Sequence, residues 1–235
     1  MSPERPRRTF VDTLGLIAVG LMVAGPLLAW LRLVPGLAGF GLYALGGLLA
    51  IVATIAAIVA AVRGRGFGAG RVIAVVGALV FVLTASAGRG APAINDFTTD
   101  LDDPPAYRQA ALASANSGRD MGYPSDFATQ QRACCADLRP ARLPVAPDQA
   151  FARARRTAEA MPSWEIVAAD PTTGTIEAVA TSKVFGFHDD VVIRVRPDGG
   201  GSRIDMRSKS RDGRGDLGAN ANRIRAYVTA VEAPS

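Results

Sequence analysis

Leu33 to Val62 reads LVPGLAGFGLYALGGLLAIVATIAAIVAAV, 30 residues without one charged side chain. A helix needs roughly 20 residues to cross the hydrocarbon core of a bilayer, so this stretch is long enough to span. On either side of it, Thr13 to Leu31 is uncharged over 19 residues and Val72 to Gly88 over 17. Phe67 to Gly70 extends the last of these across Arg71, whose long stem can reach the headgroups. A soluble surface helix keeps one side wet, and none of the three stretches has a polar face. The sequence therefore predicts three transmembrane helices, about 13–31, 36–62 and 70–88, in a membrane domain of residues 1–90. No Asp, Glu, Lys, Arg or His lies inside the three uncharged runs, which leaves an ion or proton pathway without a candidate residue. Gly46, Ala50 and Thr54, like Ala53, Ala57 and Ala61, recur every four residues and predict close helix approach.

The net charge of +5 is not spread along the chain. Residues 1–90 carry 8 Arg against 2 acids, and the remainder carries 18 basic against 19 acidic residues. The soluble part is thus not basic, which disfavours a nucleic-acid partner. The bilayer is the first partner expected. Arg5, Arg7 and Arg8 precede the first span and Arg63, Arg65 and Arg71 separate the second from the third, against Arg32 alone between the first two. That bias predicts a cytoplasmic amino terminus and a carboxy-terminal domain across the membrane. With only 2 Lys in an arginine-rich chain, the setting expected is a bacterial inner membrane with a periplasmic domain. Arg7-Arg8-Thr9-Phe10-Val11 also looks like a twin-arginine signal, and Ala85-Ser86-Ala87 like a cleavage site. The positive-inside bias and ordinary helix-end composition explain both without export or processing.

Residues 91–143 are rich in Pro and Asp with little periodicity and predict an extended wrapping segment. Residues 144–235 predict an α+β domain. Asp148 caps a helix with Phe151, Ala154, Ala158 and Met161 on one face, ended by Pro162. Alternation then predicts strands from Trp164, from Thr175 to Phe187, around Val191 to Val195, and around Ile204 to Met206. A last helix begins near Asp216, with Leu217, Ile224, Val228 and Val231 facing a core. The fold expected is a two-layer sandwich, a four-stranded antiparallel meander flanked by two helices. Arg194, Arg196, Arg203, Asp205, Arg207 and Lys209 share one face of that sheet by period two. A solvated face of weak ion pairs is the plainer reading, and an anion-binding platform near the membrane the sharper one.

Three separated segments carry a family likeness. They are Pro92-Ala93-Ile94-Asn95-Asp96-Phe97-Thr98-Thr99-Asp100-Leu101-Asp102-Asp103-Pro104-Pro105, then Phe185-Gly186-Phe187-His188-Asp189-Asp190-Val191-Val192-Ile193-Arg194, and finally Arg207-Ser208-Lys209-Ser210-Arg211 through Gly213, Asp216, Gly218, Asn220, Arg223 and Ile224. Together they resemble the domain of unknown function 1499 family over about residues 91–232. The resemblance implies a small exported bacterial domain with relatives in plastids, often behind a signal or membrane anchor. It implies no activity, and Cys134-Cys135 is not part of it.

The candidate ligand-binding residues are Arg207, Ser208, Ser210, Arg211, Asp216, Asn220 and Arg223, with Asp190 and Arg194 on the neighbouring strand. They form either a pocket in which arginines and free helix amides hold an anion, or an Asp and Arg network fastening a Gly-rich turn. In both, Asp216 caps the last helix and orients an arginine. His188-Asp189-Asp190 offers a base and a carboxylate, but no Ser or Cys can be assigned as its nucleophile, so catalytic residues stay unassigned. Asp96, Asp100, Asp102 and Asp103 offer carboxylates without the spacing of a known calcium loop, so no metal is expected. With 1 His and adjacent Cys134 and Cys135, a zinc site and a CxxC redox pair are also excluded, and no cofactor is expected. A bond between neighbouring cysteines spans α-carbons only about 3.8 Å apart and is easily reduced, which would suit a redox switch; free thiols, pairing with another chain and plain small-residue packing are together the plainer readings, with no choice among them. The function expected is a membrane-anchored periplasmic binding or interaction module in the cell envelope, its partner an anionic ligand or an envelope protein. An envelope hydrolase acting on lipid or cell-wall material through residues 207–223 is the alternative.

Overall fold

A computed structural model describes residues 9–64 and 68–234. Arg5, Arg7, Arg8, Arg65 and Phe67, and with them both arginines of the twin-arginine motif, lie outside the described residues. The chain divides into two compact units, the first running to Arg89 and the second built from Gly90–Ser182 and Phe187–Ser235.

The first unit contains α1 (Phe10–Trp30), α2 (Gly36–Val62) and α3 (Ala69–Ser86), each long and apolar enough to cross a membrane. Its surface inverts that of a soluble protein: Val23, Leu48, Val52, Ile55, Leu79 and Leu83 point outward while Ala and Gly fill the interior. The buried residues of α2 include Gly46, Ala50, Ala53, Ala57 and Ala60, so the small-residue stripe follows the helix period and passes Ala60 instead of Ala61. Two helices start earlier than the uncharged runs predict. Thr9 caps α1, accepting from the Asp12 amide at 3.3 Å while the Asp12 carboxylate accepts from the Thr9 amide at 3.1 Å. Asp12 therefore lies inside α1 and Arg71 inside α3, 3.7 Å apart, so the spans are not free of charge at these ends. Arg71 also donates to the Thr9 hydroxyl at 3.1 Å. Beside this pair the backbones of α1 and α3 touch: a Cβ on Gly15 would collide with the carbonyl oxygen of Gly70 and with Ala74.

The second unit is built on an antiparallel sheet of six strands: β1 (Asp96–Thr98), β2 (Ala141–Leu143), β3 (Trp164–Asp170), β4 (Thr175–Thr181), β5 (His188–Asp198) and β6 (Gly201–Ser210). The order is β1-β6-β5-β4-β3, and β2 also pairs with β6, Ala141 opposite Ile204 while Asp96 lies opposite Lys209. Four strands were expected; the two extra ones are three-residue pieces whose pairing no local pattern announces. The strand expected to continue to Phe187 stops at Thr181, because Ser182 and Phe187 bond each other across a turn. His188 and Asp189 consequently open β5 and are not a connection.

Three segments come from outside the strands. Between β1 and β2 lie α4 (Gln109–Leu112), a 3-10 turn at Ser114–Asn116 and α5 (Ser125–Cys134); α6 (Pro147–Ala160) and α7 (Ala219–Glu232) follow β2 and β6. Pro147 opens α6 after an N-cap at Ala146, which places Asp148 in the first turn and not at the cap. One sheet face packs Ile176, Ile193, Val195, Ile204 and Met206 against Phe151 and Ala154 of α6 and Ile224 and Tyr227 of α7. Leu217, expected in this core, is exposed because α7 begins only at Ala219. The opposite face is not solvated. Part of the segment between β1 and β2 lies over it, with Tyr107, Ala110 and Met121 packed on Val192, so the domain has a third layer beyond the expected two.

The crossing of α1 and α3 makes a direct prediction. Gly15→Leu places side-chain atoms where the Gly70 carbonyl stands and should sharply lower the yield of folded full-length protein in detergent micelles. Gly20→Leu, with nothing within 4 Å of its Cβ, should leave the yield unchanged.

Candidate functional site

Period-two alternation divides the predicted corner into two groups on opposite faces of the sheet. Asp189 and Ser210 are cross-strand partners, as are Asp190 and Lys209, so two adjacent aspartates look in opposite directions.

On the helix face, the Ser208 hydroxyl donates to Asn220 Oδ1 at 2.5 Å. Asn220 Nδ2 donates to Ser210 Oγ at 2.8 Å and to the Asn95 carbonyl at 3.3 Å. Arg223 donates to Ser208 Oγ at 3.0 Å and, at 2.5 Å, to both Asn220 Oδ1 and Asp189 Oδ2. The partner of Arg223 is therefore Asp189 and not Asp216. The Asp216 carboxylate accepts the amides of Gly218 at 2.8 Å and Asn220 at 2.7 Å, holding the turn into α7. Burial pushes its pKa up against the opposing pull of those amides, and among the described residues its carboxylate pairs with backbone and not with an arginine.

On the other face Arg207 is almost wholly buried. Its Nε and Nη2 grip Asp96 at 2.9 and 2.7 Å, and it donates to the carbonyls of Pro105 at 3.3 Å and Met121 at 3.0 Å. Its guanidinium lies 4.8 Å from the Tyr107 ring centre and 5.4 Å from that of Tyr123. Lys209 shares Asp96 at 3.1 Å. Burial works against the charge of Arg207, but Asp96 overcomes it and raises the pKa further. Arg211 takes Asp190 at 2.6 Å, and Asn116 donates to the same carboxylate at 2.8 Å. Arg194, Arg196 and Arg203 converge on Asp100 and the fully buried Asp205, with Asp103 beyond them. The carboxylates of Asp96, Asp100 and Asp103 are thus counterions of sheet arginines.

Several participants carry no sequence signal. Glu177, buried in β4, accepts the amides of Arg108, Gln109 and Ala110 at 2.9, 3.0 and 2.8 Å and so caps α4 from across the sheet. Gln131 of α5 accepts the Thr98 amide at 3.1 Å and donates to its carbonyl at 2.6 Å, pairing with it as a strand would. A charged residue among Ile176 and Ala178 is the one trace that hints at a covered outer face.

The layer over Arg207 leaves an open cleft of about 610 Å³, walled by Leu101, Pro104, Tyr107, Met121, Tyr123 and Ala128, with Arg207 also bordering it. The Tyr107 hydroxyl donates to the Asp190 carbonyl and that of Tyr123 to Gln131, both at 3.0 Å. Burial, with Asp96 adding to it, pushes both phenols above their ordinary range, so they stay neutral and present ring faces. Of the nine candidate residues only Arg207 borders this cleft.

The arrangement of the helix-face group is open to a double-mutant cycle on chemical denaturation. Arg223→Ala strands the buried Asp189 and should cost about 3 kcal/mol or more, with a coupling to Asp189→Asn of at least about 1 kcal/mol. The coupling of Arg223→Ala to Asp216→Asn should be smaller; the reverse order would restore the Asp216 pairing.

Comparison with known proteins adds one match. The family described as a protein of unknown function, DUF1499, matches residues 96–231, from the first residue of β1 into the last turn of α7. Among curated proteins none matches the chain. The match covers more than half of the sequence, including the sheet, the layer over it and both flanking helices, and the chain belongs to the DUF1499 family.

Proposed function

We propose that the protein is a membrane-anchored binding module of the bacterial cell envelope. Its amino terminus is cytoplasmic, its family domain periplasmic, and its ligand or partner seats in the cleft beside Arg207. The cleft carries this reading. It is the concavity that the covering layer leaves on the sheet, walled by apolar side chains and two tyrosine faces whose hydroxyls are already committed. The predicted corner at 207–223 serves as a fastener, since its donors and acceptors are spent on one another. An anionic ligand would find the guanidinium groups of Arg207, Arg211 and Arg194 already facing carboxylates, which favours a largely apolar occupant. The hydrolase alternative draws less support: the Ser208 hydroxyl donates to an amide oxygen and accepts from Arg223, so no base faces it.

The orientation rests on the arginines flanking the spans, six on the side of the amino terminus against Arg32 and Arg89 on the other. An alkaline phosphatase fused after the last residue should be active, and one inserted between α2 and α3 inactive; the opposite pattern would reverse the topology. For the cleft, a photo-crosslinking side chain at Leu101 of the full-length protein in its own membrane should capture a defined species. Ala128→Trp, which fills the cleft, should abolish the capture without lowering the melting temperature. Equal capture from the exposed Leu112, outside the cleft, would refute the assignment.

A further inference from the structure

Cys134 and Cys135 are bonded to each other at the carboxy-terminal end of α5. The two sulfurs differ in setting: Cys134 is exposed, whereas Cys135 packs into the domain core with Leu138. The helix that they terminate does two jobs. Ser125 and Ala128 line the cleft, and Gln131, one turn before the bond, clamps both polar groups of the Thr98 backbone. Cys135 ends the helix with φ −140° and ψ 40°, its amide still donating to the Gln131 carbonyl at 2.9 Å. Cys134 Sγ lies 3.6 Å from that carbonyl, an acceptor ready for a thiol proton once the bond is open. Neighbouring residues hold their α-carbons 3.8 Å apart, below the usual disulfide range of about 4.4–6.8 Å, which makes such a bond more readily reduced.

We propose that this pair is a thiol–disulfide exchange site, served by a dithiol reductant, whose state sets the order of α5 and of the strand residue that it clamps. The reductant's thiolate attacks the exposed Cys134 sulfur, and the Cys135 sulfur leaves and takes a proton. The second thiol of the reductant then attacks the reductant's own sulfur in the mixed disulfide, releasing Cys134 as the second thiol. Two electrons and two protons pass from the dithiol to the protein, and the reductant departs as a disulfide. In the reduced form Cys135 is no longer tied to Cys134, so the last turn of α5 loosens around Gln131. The effect on the cleft rests on the reading of the cleft as a binding site; the exchange chemistry does not.

The test uses the full-length protein in detergent micelles, with dithiothreitol as the reductant. Trapping with a thiol-reactive polymer under native conditions should show both cysteines becoming reactive together. Hydrogen exchange at the Thr98 and Cys135 amides should accelerate about tenfold or more on reduction, with the strand β5 amides unchanged. A Cys134→Ala, Cys135→Ala double variant should exchange at the fast rate with or without dithiothreitol. In Cys135→Ser, glutathione disulfide should form a mixed disulfide at Cys134. Failure of excess dithiothreitol to open the bond without denaturant, or opening with no change in exchange at Thr98 and Cys135, would overturn the proposal. Loss of crosslinking at Leu101 would bear on the cleft alone.

Discussion

A guanidinium buried between a sheet and a layer of short helices and loops sets the terms for the whole domain. Moving Arg207 out of water costs several kcal/mol, and the cost is offset only while every surrounding group stays in place. Those groups come from separate parts of the chain. Asp96 arrives on β1, two carbonyls and two tyrosine rings arrive on the covering layer, and Arg207 itself sits on the strand with which β1 pairs. Edge pairing, burial of the arginine and closure of the layer are therefore one event.

The covering layer brings little apolar surface with it, chiefly Tyr107, Ala110 and Met121 against Val192. Polar contacts must do the rest, and they are placed along its length. Asp100 and Asp103 meet the three arginines at one end, Glu177 takes the amides opening α4, and Asn116 reaches Asp190. Arg119 donates to the Ser210 carbonyl and Gln131 closes on Thr98. A layer fixed by such point contacts does not pack down as a hydrophobic core does, and the cleft beside Arg207 is where it stands off the sheet. The membrane unit solves the complementary problem. With lipid outside there is no hydrophobic drive between helices, so Gly15 against Gly70 supplies close contact and Asp12 with Arg71 an ion pair at the helix starts.

Much of this architecture is legible in the residues, and the limits have physical causes. Uncharged runs locate the three spans, yet they end at the first charge while a helix continues to its cap, which is why α1 reaches back to Phe10 through Asp12. Alternation assigns Arg194, Arg196, Arg203, Asp205, Arg207 and Lys209 to one face, and the register agrees. What alternation lacks is the identity of the neighbours across that face. Asp96 and Arg207 are separated by 111 residues, so the lock is invisible to any local pattern. The same limit misassigns Arg223: spacing along one helix suggests Asp216, whereas the pairing of β5 with β6 brings Asp189 opposite Ser210 and within reach. Gln131 and Glu177 read as ordinary surface residues because their partners are backbone groups of a segment with no periodicity.

If the layer and the sheet form one cooperative unit through Arg207, the layer cannot open on its own. Native-state hydrogen exchange on the full-length protein with the bond between Cys134 and Cys135 intact, read amide by amide against denaturant, measures this directly. The amides of Thr98 and Ala110, held by Gln131 and Glu177, should exchange with the same opening free energy and the same denaturant dependence as those of Val191 and Ile193 in the central strand. Exchange at Thr98 and Ala110 through a low-energy opening, with Val191 and Ile193 still protected, would show a detachable cover and contradict the account.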